Sequence, residues 1–274
     1  MTSVVVPHDH RAALARALPL LLAGLLVATA IAYPLTAGPD RDAVTWTIVV
    51  LGAALSVTHA AVSRGGSLAV GVLLLTTGIS LGFEAIGLST GFPYGAYSYS
   101  GALGPTVLGV PLLVPLAWLM MAWPSWLLAD LLTGQVRVRL RRTTRVGVAA
   151  AVFAAWDVVL DPQLVQAGYW TWAHPHPGLP GIGSVPLTNL AGWLLAGLVL
   201  MTALDVLINR SSVTDEVRVD ATAPLLALAW MTLGGALAEA GWLELPGPAA
   251  WGAGLAVPVA VAVGLRRRRE RTGR

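Results

Sequence analysis

Eight apolar blocks, each about as long as a bilayer is thick, run through this chain of 274 residues. A transmembrane helix needs roughly 20 consecutive residues that are mostly apolar. Windows of that length predict helices near residues 15–35, 44–62, 67–86, 105–130, 144–161, 188–208, 221–240 and 248–265. No polar stretch between the blocks is long enough to form a soluble domain. We therefore predict an all-α integral membrane protein, with residues 1–274 forming a single domain of about eight transmembrane helices.

The distribution of arginine predicts how this bundle is oriented. All 17 basic residues are Arg, and with a cytoplasmic N-terminus only Arg41 falls on the outer side. Cytoplasmic loops carry an excess of basic residues, so this asymmetry supports an even number of spans and cytoplasmic N- and C-termini. We expect a multi-pass protein of the plasma membrane. Its basic C-terminal tail, residues 266–274, is expected to contact anionic membrane lipids, and we expect no nucleic-acid partner.

Two connections on the predicted outer side are longer than a helical bundle needs. Residues 87–104 and 162–187 are both rich in Gly, Pro and aromatic residues, and each leads into a Val-Pro-Leu sequence. The spacing from Glu84 to Pro111 nearly matches the spacing from Asp161 to Pro186. The sequence leaves two explanations open: an internal duplication of a two-helix unit, or two unrelated interfacial loops.

Four carboxylates within the predicted spans carry the main functional signal: Glu84, Asp157, Asp161 and Glu239. Each costs roughly 2.5–3.5 kcal/mol to insert, so each needs a reason to be there. The third, fifth and seventh helices run outward in this topology, which predicts that all four acids lie at a similar depth. Asp157 and Asp161 are four residues apart and share a helix face, where two carboxyl groups can hold one proton. Pro162 is expected to end that helix.

Other polar residues within the spans have simpler explanations. Asp130 and Asp205 lie near the cytoplasmic helix ends, where we expect them to pair with Arg side chains of the loops. His59 is interpreted as a packing histidine. Asn189, at the start of the sixth helix, is predicted either to cap that helix or to orient a catalytic water.

Several cofactor chemistries are excluded by what the sequence lacks. It has no cysteine, no G-x-G-x-x-G motif and only five histidines, so thiolate chemistry, a dinucleotide domain and paired His boxes for di-iron are not expected. His174 and His176 are interpreted as part of a solvated loop. The Asp157-x-x-x-Asp161 spacing is similar to the magnesium-diphosphate motif of intramembrane prenyltransferases, but a second Asp-rich motif is missing. We expect no cofactor and no metal, and water as the source of any oxygen added.

Two blocks of the sequence resemble the CruF-type carotenoid 1,2-hydratases of carotenoid biosynthesis. The first contains Glu84-Ala-Ile-Gly, then Thr90-Gly-Phe-Pro-Tyr-Gly-Ala-Tyr-Ser-Tyr99, and continues to Trp118. The second contains Trp156-Asp-Val-Val-Leu-Asp-Pro162 and Gly168-Tyr-Trp-Thr-Trp172, and ends at Trp193. The resemblance implies hydration of the terminal C1=C2 double bond of an acyclic carotenoid end group without a cofactor. The product would be a tertiary alcohol.

The residues and the resemblance together predict a site and its partners. Asp157, Asp161 and Glu84 are the predicted catalytic residues. The predicted substrate-binding residues are Tyr94, Tyr97, Tyr99, Trp118, Trp156, Tyr169, Trp170, Asn189 and Trp193. The predicted partners are a carotenoid dissolved in the bilayer, water and membrane lipids, with other enzymes of carotenoid biosynthesis as candidate partners.

The mechanism expected from these residues is acid catalysis through a carbocation. A neutral carboxylic acid, from the Asp157/Asp161 pair or from Glu84, would protonate C2 and leave a tertiary cation at C1. Aromatic ring faces and the remaining carboxylate would stabilise that cation, and a second carboxylate would accept a proton from the attacking water. Three alternatives remain open: a cofactor-free carotenoid or prenyl cyclase, a prenyltransferase-like enzyme, and a proton-coupled transporter.

Overall fold

The structure is a computed structural model that describes residues 8–211 and 220–272. Within these ranges it describes all side chains except those of residues 8–16, 258–259, 261–262 and 265–272. The predicted roles of Arg11, Arg16, Arg218 and the basic tail therefore lie outside the described side chains.

Helices make up most of the described chain. They are α1 (His8–Ala32), α2 (Gly38–Arg64), α3 (Gly66–Thr90), α4 (Leu113–Thr133), α5 (Val138–Gln166), α6 (Leu187–Arg210), α7 (Thr222–Ala229), α8 (Gly235–Gly241) and α9 (Pro246–Thr272). A π-helical segment, Trp230–Gly234, joins α7 to α8. Short 3₁₀ turns cover Tyr33–Leu35 and Gly101–Leu103.

Seven spans among the described residues are long and apolar enough to cross a membrane, when α7 and α8 are counted as one. They correspond to the first seven predicted spans, which confirms an α-helical membrane protein. The eighth predicted span falls within α9, where several side chains lie outside the description.

Successive spans reverse direction, which gives the bundle two distinct ends. We call the end that carries residues 91–112 and 167–186 the loop end. We call the opposite end, which carries Arg64, the connection 134–137 and Arg210, the arginine end. Arg41 lies at the loop end, at the start of α2.

The start of the fourth helix was predicted wrongly. Residues 105–112 do not begin α4; they form a hairpin in which β2 (Thr106–Val107) pairs with β3 (Val110–Pro111). The two residues between these strands, Leu108 and Gly109, have φ values of 53° and 80°. A two-residue hairpin of this kind needs positive φ at both central positions. Leucine rarely adopts a positive φ, so only Gly109 of the two turn residues indicated a hairpin in the sequence.

The prediction that Pro162 ends the fifth helix was also wrong. The helix α5 continues through Pro162 to Gln166. Proline removes one backbone hydrogen bond, and membrane helices tolerate that loss where neighbouring groups satisfy the freed backbone. The extra turn keeps Asp161 inside the helix and directed towards the bundle interior, where it is 3% exposed.

The two long loops pair with each other. Strand β1 (Tyr97–Tyr99) pairs antiparallel with β4 (Trp170–Trp172), with Ser98 opposite Thr171. A further backbone hydrogen bond joins the amide of Ala173 to the carbonyl of Ala96. This small sheet covers the loop end of the bundle between α3 and α5.

At the arginine end, Asp205 is fully buried and holds three helices together. It accepts hydrogen bonds from Arg142 and Arg145 of α5 and from the indole of Trp126 of α4. Arg145 also pairs with Asp130 at 2.7 Å. The predicted Asp–Arg pairing is therefore confirmed, although the Arg residues lie within α5 rather than in a loop.

Candidate functional site

A cavity of about 380 Å³ lies beneath the paired loops, between α1, α2, α3, α4, α5, α6 and the α7–α8 span. Most of its wall is apolar or aromatic. Two carboxyl groups, from Glu84 and Asp161, reach this wall. At one side the lining residues Ile31, Leu35 and Leu237 are each more than half exposed on the bundle surface. The cavity therefore opens to the surface of the bundle through an apolar rim.

Glu84 is held by two phenol groups from β1. The hydroxyls of Tyr97 and Tyr99 both donate to Glu84 Oε2, at 2.5 and 2.7 Å. The rings of the two tyrosines meet edge to face at 5.5 Å. Two donors thus converge on one carboxyl oxygen, and hydrogen bonds of this kind favour the charged form of a carboxyl group.

Asp157 and Asp161 are bridged by the side chain of Asn189. Its amide nitrogen donates to Asp157 Oδ2 at 2.7 Å and to Asp161 Oδ2 at 2.5 Å. All three residues are 2–3% exposed. The first turn of α6 has no side-chain cap, so the capping role predicted for Asn189 is wrong. It instead bridges the two carboxyl groups of α5.

Aromatic rings enclose this acidic group. The indole rings of Trp118 and Trp193 lie 5.0 Å apart, and Trp193 meets Trp156 edge to face at 6.1 Å. Trp170 meets Tyr99 edge to face at 5.7 Å. The negative faces of such rings stabilise a nearby cation.

Two glycines allow the tyrosines to approach the helices closely. A Cβ atom at Gly87 of α3 would lie 2.9 Å from the ring of Tyr94 and 3.0 Å from the hydroxyl of Tyr97. A Cβ atom at Gly192 of α6 would lie 2.6 Å from the ring of Tyr94. Tyr94 is thus clamped between α3 and α6.

The loop tyrosines remain neutral hydrogen-bond donors. Burial, followed by the charge of Glu84, raises the pKa of Tyr94, Tyr97 and Tyr99 well above the ordinary value. Burial also raises the pKa of Tyr169 to about 12. Each phenol therefore keeps its proton at neutral pH and can donate it in a hydrogen bond.

Ten of the twelve predicted site residues line the cavity: Glu84, Tyr94, Tyr97, Tyr99, Trp118, Trp156, Asp161, Trp170, Asn189 and Trp193. The other two lie behind its wall. Asp157 is reached through Asn189 and Asp161. Tyr169 bonds to Asp42 and Thr45 of α2.

The structure separates Glu239 from the other three acids. Its side chain is fully buried on α8, and neither carboxyl oxygen has a hydrogen-bond partner among the described residues. The neighbouring Ala238 lines the cavity. Glu239 itself does not line the cavity, although Gly235 and Trp242, four residues before it and three after it, do.

Sequence reasoning missed the part of the wall that comes from α1, α2 and the π segment. Tyr33, Thr45, Trp230 and Met231 all line the cavity. The placement of Trp172, which donates from its indole to the carbonyl of Tyr94, was also missed. A buried threonine in an apolar helix has no sequence signature, so no signal pointed to Thr45.

The histidines have the roles expected of structural residues. His59 bonds to the carbonyl of Asp220 and accepts a hydrogen bond from the indole of Trp123. This confirms the interpretation of His59 as a packing residue. Among the side chains that the structure describes, no group of three or more His, Asp or Glu could hold a metal ion.

Comparison with known proteins identifies the family. A family model described as carotenoid biosynthesis protein matches residues 44–259, which run from α2 into α9. The chain belongs to this family. The match includes Glu84, Asp157 and Asp161 and the tryptophans around them, and it confirms the resemblance seen in the two sequence blocks.

Within the carotenoid biosynthesis family, one curated relative is a bisanhydrobacterioruberin hydratase from Haloarcula japonica. It is 33% identical to this chain over 128 residues, which cover 46% of this chain and 41% of the relative. The match thus spans less than half the length of that relative. No solved structure matches the chain.

Proposed function

We propose that this protein adds water across the terminal C1=C2 double bond of an acyclic carotenoid end group, as a cofactor-independent hydro-lyase. Family membership and the hydratase named among the relatives support a hydration reaction. The observation that carries the proposal is the presence of Glu84 and Asp161 on one largely apolar, ring-lined cavity. An alkene becomes reactive towards water once it is protonated, and these carboxyl groups can supply and stabilise that charge.

The two acidic positions suit different roles in this reaction. Asp161 and Asp157, bridged by Asn189, share one proton, and Asp161 delivers it to C2 of the alkene. Glu84 carries two phenol donors and stays ionised, so its charge stabilises the tertiary cation at C1. Keeping two carboxyl groups in different protonation states is how one site combines an acid with an anion.

The lateral opening explains how a rod-shaped lipid reaches this site. The end group enters the cavity through the apolar rim, while the rest of the polyene stays among the lipid chains. In this proposal the loop end faces away from the cytoplasm and the protein resides in the plasma membrane. The arginine at the opposite end sets that orientation.

Expression in a host that accumulates lycopene tests the function. Pigments are extracted and their masses determined. A product heavier by one water supports the hydratase. A product of unchanged mass with a cyclic end group would show a cyclase, which uses the same acid but excludes water. No new pigment, with the protein present in the membrane, would contradict both.

A further inference from the structure

Two buried polar atoms of the candidate site have no hydrogen-bond partner among the described residues: the hydroxyl oxygen of Tyr94 and Oδ1 of Asp157. Tyr94 and Asp157 are each 2% exposed, and Tyr94 lines the cavity. Buried polar groups in proteins are almost always paired, either with the protein or with an ordered water. Each of these two atoms therefore needs a partner other than the described side chains.

The packing of Tyr94 places its phenol close to the aspartate pair. The ring centroid of Tyr94 lies 6.3 Å from that of Trp193 on α6. Asn189, one turn before Trp193 on the same helix, donates to Asp157 Oδ2 at 2.7 Å. Burial raises the pKa of Tyr94, and the charges of Glu84 and Asp157 add to the rise. The unpaired hydroxyl and the unpaired carboxyl oxygen thus belong to one group of interacting side chains.

One water molecule can satisfy both atoms. The hydroxyl of Tyr94 keeps its proton and can donate it, whereas Oδ1 of Asp157 can accept. A buried water typically makes two to four hydrogen bonds to such groups. A water that accepts from Tyr94 and donates to Asp157 keeps a second lone pair for a reacting carbon in the cavity.

We propose that Tyr94 and Asp157 hold the water that attacks C1, and that Asp157 accepts the proton that this water loses. The inference rests on the proposed hydration and deepens it. Asp161 gives the shared proton to C2, the water oxygen forms a bond to C1, and one water proton passes to Asp157 Oδ1. The aspartate pair then holds one proton again, so the reaction consumes only alkene and water.

The closeness of the two aspartates makes Asp157 a base at the right moment. Once Asp161 has released the shared proton, two buried carboxylates bridged by one amide are both ionised. Like charges disfavour that state, so the pair recovers a proton readily. Glu84 is less suited to this role, because two phenol donors stabilise its charged form.

The position of Tyr94 does not depend on its hydroxyl. Its backbone carbonyl accepts hydrogen bonds from the indole of Trp172 at 3.1 Å and from the hydroxyl of Thr188 at 3.3 Å. Its ring is clamped between Gly87 and Gly192. Tyr94→Phe therefore removes the donor to the water and keeps the packing of the ring.

The test separates protonation of the alkene from hydration. Membranes containing the full-length protein are given an acyclic carotenoid in D2O, and the products are separated and weighed. The wild-type alcohol should carry deuterium at C2. In Tyr94→Phe, formation of the alcohol should fall by about tenfold or more, because the water is no longer positioned beside its base. The cation should instead lose a proton to solvent, which leaves deuterium in carotenoid that has not been hydrated.

Variants of the two aspartates distinguish their roles. Asp157→Asn should behave like Tyr94→Phe, since Asp161 remains to protonate the alkene but the base is absent. Asp161→Asn should lose both the alcohol and the deuterium, since the acid itself is absent. Thr188→Val is the matched control, because it removes an exposed hydroxyl that bonds to the carbonyl of Tyr94 but not to its phenol. It should hydrate normally.

Two outcomes overturn the inference while leaving the proposed function intact. One is normal hydration by Tyr94→Phe or by Asp157→Asn. The other is a parallel loss of alcohol and deuterium in whichever of these variants is inserted in the membrane, which a purely structural role would produce. A wild-type protein that incorporates no deuterium and forms no alcohol would instead refute the proposed function, and the inference with it.

Discussion

Glu84 has two phenol donors and, among the described side chains, no Arg within ion-pair distance. A carboxylate in this setting is stabilised by hydrogen bonds rather than by a counter-ion. It can therefore offer its charge to a transient cation in the cavity. A permanent Arg partner would have cancelled that charge.

Replacing this carboxylate tests its role directly. Glu84→Gln keeps the size of the side chain and a hydrogen-bond acceptor but removes the charge. We expect hydration to fall by about 100-fold or more, in the range typical of charged groups that act in a transition state. Pigment conversion per unit of membrane-inserted protein measures the effect. Glu244→Gln, at an exposed position, is the matched control, and equal activity in the two variants would remove Glu84 from the mechanism.

Asn189 is expected to contribute both to the stability of the protein and to hydration, because it positions the two aspartates. Asn189→Leu removes both of the hydrogen bonds to them and leaves buried carboxyl groups without their donor. We expect a loss of about 1–3 kcal/mol in the free energy of unfolding, together with loss of hydration. Thermal unfolding in detergent measures the stability change.

Making Asn189→Leu in a protein that lacks both aspartates identifies the cause of the loss of stability. In an Asp157→Asn/Asp161→Asn protein, Asn189→Leu should cost less, because the carboxyl groups it served are absent. The same loss of stability in both backgrounds would mean that Asn189 stabilises the protein in some other way.

At the scale of elements, the site depends on the close packing of β1 against α3. The helix α3 ends at Thr90 and is followed by Gly91, whose φ is 75°. The chain then returns to place Tyr97 over Gly87 and beside Glu84. Pairing of β1 with β4 fixes the same tyrosines relative to Trp170 and Trp172. The two loops therefore act as one unit in placing the donors of Glu84.

Gly87→Ala should disturb this unit. The added methyl group would displace Tyr94 and Tyr97, and a shift of about 1 Å at a reacting centre can reduce the rate by about 100-fold. We expect a large fall in hydration with the protein still inserted. Gly82→Ala on the same helix has nothing within 4 Å of the added methyl group and should be fully active. Normal activity in Gly87→Ala would show that the contact between Tyr97 and Glu84 is dispensable.

In the whole molecule, the candidate site with its carboxyl groups lies near one end of the bundle, and a cluster of buried ion pairs lies at the other end. The buried Asp205 and its Arg partners tie α4, α5 and α6 together at the arginine end. The site lies at the loop end, beneath the paired strands. The buried ion pairs and the candidate site thus lie at opposite ends of the same helices.

The orientation of these ends can be measured with single cysteines, since the chain has none of its own. Ser98→Cys lies exposed at the loop end, and Gln135→Cys lies exposed at the arginine end. We expect a membrane-impermeant maleimide to label Ser98→Cys in intact cells and to label Gln135→Cys only after lysis. The reverse pattern would contradict the proposed topology.

If the carotenoid enters through the apolar rim, a larger side chain at the rim should raise the KM for the carotenoid. Leu237→Trp should narrow the opening and raise the KM for a full-length carotenoid with little change in kcat. A short isoprenoid with the same end group should be much less affected, since it need not extend through the rim. Leu74→Trp, on a lipid-facing part of α3 away from the cavity, is the control. Unchanged KM in Leu237→Trp would place the entrance elsewhere.

The membrane-spanning helices and the choice of acidic residues could be predicted from sequence because both depend on local composition. The length of each apolar block determines whether it can span a bilayer, and a carboxylate inside such a block is conspicuous wherever it points. The aromatic wall was predicted as a set through the family resemblance. The turn at Leu108–Gly109 and the continuation of α5 past Pro162 were missed, because each goes against the usual preference of its residue.

The sequence by itself determined that this is an α-helical membrane protein of carotenoid biosynthesis with acids within its spans. The tertiary structure alone decided which of those acids share a cavity, because that depends on the rotation of each helix about its axis. Glu239 and Ala238 are neighbours in sequence, yet only Ala238 faces the cavity. Contacts between distant segments, such as Tyr169 with Asp42 and β1 with β4, likewise have no local signature. They exist only once the helices have packed.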